Sequence, residues 1–127
     1  MNRQVYINAV ESYFAALDDQ RLDDVLSYFQ NDAVFTIQSA FITCKGRDAE
    51  IREMFTGFLD TYESILHTDF EHIVDPESQS ISSRFRVELD NRDGSHETKQ
   101  SVNQWYVSGD LFQRVYVWIS GDNVLGS

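Results

Sequence analysis

Three observations predict an α+β fold. Apolar residues recur at intervals of three and four through the first half of the chain. They recur at every second position through the second half, and short polar turns separate those later segments. Helices first and an antiparallel meander afterwards is the α+β order, because a βαβ protein would alternate the two. The 127 residues fit a single domain over 1–127, with no repeat, low-complexity tract or linker to divide it. A chain of this length buries about two-thirds of its unfolded surface.

The elements follow in order. Tyr6, Val10, Tyr13, Phe14 and Leu17 predict an amphipathic helix over 4–17. Leu22, Val25, Leu26 and Phe29 repeat the pattern in a shorter second helix, and Gln30, Asn31 and Asp32 break it before a short strand from Ala33 to Ile37. Gly46 marks a turn, and Asp48 is placed to N-cap a third helix whose apolar face is Ile51, Met54, Phe55, Phe58, Leu59 and Tyr62. Four strands are predicted at about 65–74, 80–90, 97–107 and 111–120. The segments between them, around Pro76, Gly94 and Gly109, carry the residues of short hairpin turns. Strands this long, alternating on both faces, imply a strongly curved sheet wrapped round the helices and enclosing a space.

Alternation also assigns faces. Phe85, Val87 and Leu89 lie opposite Arg84, Arg86 and Glu88 and should meet the helices. In the next strand either Ser101, Asn103 and Trp105 or Val102, Gln104 and Tyr106 point inward. In the last, one face carries Arg114, Tyr116 and Trp118, the other Val115, Val117 and Ile119. The aromatic and polar face suits a cavity wall. The β-branched face suits a flat contact between two sheets, hence a homodimer. An inward Arg114 would require a carboxylate, from the protein or from an anionic ligand.

Composition narrows the partners. Nine Phe, six Tyr and two Trp suit a pocket or an interface as well as a core. A net charge of −11 disfavours nucleic acid and anionic membrane. Cys44 is the only cysteine, and with three histidines in different segments it forms no zinc pattern. The N-terminus has no signal-peptide pattern, and no stretch approaches the ~20 apolar residues of a membrane span, so a cytoplasmic location is expected.

Three helices, a strand through Asp32-Ala33-Val34-Phe35-Thr36-Ile37, the Lys45–Glu50 turn and the four-strand meander resemble the SnoaL-like branch of the nuclear transport factor 2-like superfamily. The resemblance covers almost the whole chain and rests on order and hydrophobic pattern. It implies a cone-shaped α+β barrel with an apolar pocket at its open end, commonly dimeric through the sheet. Members include polyketide cyclases, ketosteroid isomerases, scytalone dehydratase and non-enzymes, so the fold alone settles no reaction. Against ketosteroid isomerase, Tyr13 falls on the oxyanion-hole tyrosine and Asn103 on the protonated aspartic acid, whose hydrogen bond an amide can also donate. The general base falls on Ile37, which cannot take a proton, so that mechanism is disfavoured. Against scytalone dehydratase, Asp18 and His67 fall on an aspartate–histidine dyad, and Asn103 on a substrate-holding asparagine. A carboxylate would fix the imidazole tautomer and leave a base. That enzyme's second histidine falls near Leu89 and its water-holding tyrosines on Leu17 and Ile37, so the polarising groups differ.

Plainer roles compete. Asp18 or Asp19 could N-cap the second helix, although one acid would then be left over. His67, Asp69 and Glu71 share a face by alternation, which fits solvent or a polar cavity. Tyr13 fits the core. His72, His96 and Cys44 read as incidental, and Arg86 and Glu88 as residues of a dimer contact. Two functions therefore stand. One is a lyase, isomerase or cyclase without cofactor or metal, with Asp18, His67, Tyr13 and Asn103 catalytic. Phe35, Ile37, Phe55, Phe58, Phe85, Trp105, Arg114, Tyr116 and Trp118 would line its pocket for a small hydrophobic molecule. The other is a non-catalytic dimeric ligand-binding or association module.

Overall fold

The structure is a computed structural model and describes residues 1–125. Helix α1 (Arg3–Asp18) begins at Asn2, whose side-chain oxygen accepts the Val5 backbone N–H at 3.1 Å. Its buried stripe includes Tyr6, Val10, Tyr13, Phe14 and Leu17, the set the spacing predicts. Gln20, with φ at 57°, reverses the chain into α2 (Leu22–Leu26). This helix is shorter than the sequence suggests, because Phe29 opens the next strand.

Strand β1 (Phe29–Ile37) is followed by β2 (Ile42–Lys45), which the sequence reading does not predict. A wide turn over Gly46–Ile51 leads into α3 (Arg52–Thr61). Asp48 does not cap that helix. It pairs with Arg47 at 2.9 Å, and the capping position belongs to Ile51. Strands β3 (Tyr62–Asp75), β4 (Ser80–Asn91), β5 (His96–Ser108) and β6 (Leu111–Ile119) form the expected meander.

All six strands join one sheet in the order β2-β1-β6-β5-β4-β3, and only the β1–β6 pairing is parallel. The helices lie in its concave side. Val10, Phe29, Leu89, Trp105 and Val115 are fully buried between the two layers. Full burial of such side chains contributes about 1.5–3 kcal/mol each.

The last strand corrects the expected faces. Val115 and Val117 lie in the core, whereas Trp118 is 42% exposed on the outer face. Arg114 is on that outer face too, 4.1 Å over the Tyr116 ring, with its guanidinium donating to the Val34 and Val115 carbonyls. The interior beside β6 is already filled by Tyr13, Phe29, Phe35 and Phe112, so only compact β-branched side chains fit there. Val115 and Val117 therefore cannot form a contact between two sheets, and Arg114, Tyr116 and Trp118 do not line the interior.

Candidate functional site

Strand β3 carries an irregularity that decides which of its residues point inward. Asp69 has φ at 59°, and the β3–β4 register slips between Thr68 and Glu71. One extra residue moves the side chains beyond it to the opposite face. Ile65 and His67 point in before the bulge, and Phe70, His72 and Val74 after it. Asp69 and Glu71, expected to share a face with His67, are exposed.

His67 meets the end of α1. Asp18 Oδ1 lies 2.5 Å from its Nδ1, and Asp18 Oδ2 accepts its backbone N–H at 2.9 Å. Both carboxylate oxygens thus serve one residue. Phe14, one turn earlier on α1, stacks on the imidazole with ring centres 4.3 Å apart. The carboxylate can only accept, so Nδ1 carries the proton and Nε2 presents a lone pair. Nε2 bonds to no other described residue. Neither acid caps α2: Arg21 occupies that position without a side-chain bond, and Asp19 accepts from Arg21 Nε at 2.9 Å.

The His67 ring borders a cavity between α1, α3 and the sheet. Its apolar walls are Phe14 and Leu17 from α1, Phe35, Phe55, Phe58 from β1 and α3, and Phe85, Val87, Val117 and Ile119 from the sheet. Its polar groups are His67, Tyr13, Ser101 and Asn103. Burial, with a smaller contribution from the Asp18 carboxylate, pushes the Tyr13 phenol far above its ordinary value, so it remains a proton donor at any working pH. Its oxygen bonds to no other described residue. Ser101 Oγ lies 3.0 Å from Asn103 Oδ1 and 2.9 Å from the Trp118 carbonyl, and its single proton serves one of these acceptors at a time. While Ser101 donates to that oxygen, the Asn103 amide N–H₂ is the end left to donate. The arrangement places one base and two donors against an apolar wall. It can remove a proton and hold the negative charge that results.

The remaining candidates sit elsewhere. Ile37 and Trp105 are fully buried but border no part of this cavity, and the Trp105 indole N–H is buried without a partner. Sequence reasoning missed three features. Val124 and Leu125 line the cavity from the C-terminal segment. Lys99 is buried on the inward face of β5, a placement the alternation with Ser101 and Asn103 could have revealed. His72, read as incidental, is the centre of a second, partly buried network. Its Nδ1 lies 2.6 Å from Ser83 Oγ and its Nε2 2.7 Å from Glu11 Oε2. Among the described residues no group of three or more His, Cys, Asp or Glu is placed to hold a metal ion. No helix among them is long and apolar enough to cross a membrane.

The profile of the SnoaL-like domain matches residues 7–119. No curated protein matches the chain in sequence. Among solved structures, a candidate polyketide cyclase from Xanthomonas campestris is similar at 16% identity and a TM-score of 0.82, over 93% of this chain and 92% of that one. A candidate isomerase from Bacillus subtilis has 12% identity and a TM-score of 0.85, over 94% and 90%. AusH from Aspergillus nidulans has 11% identity and a TM-score of 0.82, over 96% and 88%. Likeness at these identities establishes the α+β cone fold and no reaction.

Proposed function

The chain belongs to the SnoaL-like family, and on that premise we propose that it is a cofactor-independent lyase, isomerase or cyclase acting on a small hydrophobic carbonyl compound. The observation that carries this reading is the Asp18–His67 pair, which leaves one imidazole nitrogen unbonded on an apolar cavity. In the proposed step His67 Nε2 takes a proton from the carbon next to the carbonyl. The C–H electron pair moves to the carbonyl oxygen, which receives hydrogen bonds from Tyr13 and Asn103. The imidazolium, held by Asp18, then returns the proton to another carbon or to a departing hydroxyl. Names of structural neighbours that include a candidate cyclase and a candidate isomerase agree with this class.

The test needs no knowledge of the natural substrate. Small apolar ketones and 1,3-dicarbonyl compounds are incubated with the protein in D₂O, and C–H to C–D exchange is followed by NMR. We expect enhanced exchange by the native protein and a loss of about 10²–10⁴-fold in His67→Gln. Equal exchange by the two proteins would sink the reading and leave a ligand-binding module.

We further propose a homodimer through the outer face of β5 and β6. Val102, Tyr106 and Trp118 are exposed there, and Tyr116 stacks on Trp118 at 6.3 Å. Sedimentation should give twice the chain mass at micromolar concentration, and Trp118→Glu should halve it.

A further inference from the structure

The cavity offers about 30 Å³, room for about two water molecules. A ligand pocket usually offers ~300–1,000 Å³. Val124 and Leu125, from the C-terminal segment, border it. On the other side of Val124 lies an open groove of about 690 Å³ between β2, α3 and the C-terminal segment. Phe58 and Val124 border both spaces, so Val124 forms part of the partition between them.

The segment is tied at Ser120 by two bonds to Gln100, and beyond that residue it meets one buried cation. Lys99 is 8% exposed and lies on the same face of β5 as Ser101 and Asn103, one step beyond them. Its Nζ donates to the Asp122 carbonyl at 3.2 Å. The nearest carboxylate, Glu97 Oε1, is 3.8 Å away, beyond hydrogen-bond reach, and Glu97 Oε2 is occupied by the Asn91 amide at 3.0 Å. An ammonium this buried, with one neutral acceptor for three N–H groups, is poorly satisfied. The chain meets it closely at Gly121, where φ is 70° and a Cβ would come within 2.8 Å of Nζ.

We propose that Lys99 is a specificity-determining residue: when the segment from Gly121 to Leu125 lifts, joining cavity to groove, its ammonium receives a carboxylate or other anionic group on the apolar ligand. This rests on the pocket of the proposed function and adds the ligand's charge. The protein's net charge of −11 repels an anion at long range, so selection for one requires a local cation that is dehydrated and inward-facing. Among the described residues Lys99 is the only Lys or Arg in the buried class. Arg114, to which the sequence pattern gave that part, faces outward.

Two probes with one apolar body separate the possibilities: 2-naphthylacetate and the neutral 2-naphthylacetamide. Dissociation constants are measured by calorimetry for the native protein, Lys99→Met and Gly121→Ala. The methionine retains the apolar stem, and the alanine crowds the latch. The native protein should bind the acid about tenfold more tightly than the amide. Lys99→Met should erase that preference while binding the amide within about twofold of native, and Gly121→Ala should accelerate association of both probes. Equal affinity for both probes in the native protein, or a preference that survives in Lys99→Met, overturns the role of Lys99. Amide binding that shifts the His67 and Asn103 resonances would in that case leave the pocket standing. Failure of both probes to bind all three proteins overturns both the Lys99 proposal and the pocket.

Discussion

Helix α1 supplies two carboxylates, Glu11 and Asp18, to two histidines on β3 that flank the same bulge. The resulting pairs differ in one respect that matters for chemistry. His72 uses both ring nitrogens within the protein, one on Glu11 and one on Ser83. His67 uses one on Asp18, and the other has no partner among the described residues in a ring that borders a cavity. Between them Phe14 stacks on both His67 and Phe70, and Phe70 stacks on His72 at 5.6 Å, so one aromatic column holds both rings. A carboxylate–imidazole pair is therefore no sign of catalysis by itself. With both nitrogens bonded it ties a helix to a sheet, and with one nitrogen free it can move a proton.

The largest expected effect separates the two histidines. His67→Gln should reduce proton exchange by about 10²–10⁴-fold, whereas His72→Gln should leave it within about twofold of native. Comparable losses in both variants would abolish the distinction. Asp18→Asn comes next, with an expected loss of about 10²-fold or less. Its amide can turn its NH₂ toward Nδ1, which moves the imidazole proton to Nε2 and removes the lone pair. Long-range ¹⁵N correlation spectra should show the Nδ1–H tautomer of neutral His67 in the native protein and the Nε2–H tautomer in the variant. An unchanged tautomer would sink the orienting role of Asp18.

A stability measurement sharpens the comparison from the other side. Ser83→Ala removes a buried partner of His72 and leaves Nδ1 unsatisfied, at an expected cost of about 1–3 kcal/mol. Denaturant unfolding should report that loss, with exchange activity per folded molecule unchanged. A loss of activity without a loss of stability would instead make His72 part of the site.

These two pairs also show what a one-dimensional reading can and cannot reach. The helix stripe, the hairpin turns and the inward faces of β4 follow from local periodicity and turn chemistry, which is why they were legible. Asp18 and His67 were singled out through a family resemblance, since residues 49 positions apart carry no local signal of contact. The bulge at Asp69 was invisible, because strict alternation assumes that no residue is inserted. That one residue placed Asp69 and Glu71 wrongly and hid His72. The inversion of β6 has a different origin. Its two faces are both plausible interiors, and the space left by Tyr13, Phe29, Phe35 and Phe112 decides between them. Such a volume constraint is set by residues from three elements and cannot be read from one strand.

The smallest effect concerns the third histidine, which meets carboxylates on the outer sheet. His96 Nδ1 lies 2.7 Å from Asp90 Oδ1, and its Nε2 contacts Glu88, which also accepts from Arg86 and from Thr98. Asp90 and Glu88 raise the His96 pKa above its ordinary value. Bonds from Thr98, Arg86 and His96 hold the Glu88 carboxyl down at about 2, and bonds from His96 and Ser64 hold Asp90 low as well. The raised histidine stabilises the fold fully below its ordinary value of 6.5, and that contribution disappears as pH rises through the elevated folded value. The depressed Glu88 acts in the opposite sense. Its contribution is present above its ordinary 4.5 and disappears as pH falls toward about 2. Both are fully present only between those ordinary values. Because the His96 cluster is solvent-accessible, screening keeps the effect small. The melting temperature of the native protein should therefore exceed that of His96→Gln by a small margin near pH 5–6. The margin should shrink toward zero above the elevated His96 value and should also narrow in high salt. A margin that grows with pH would mean that His96 acts in its neutral form, and the outer cluster would then resemble the His72 network rather than a surface ion pair.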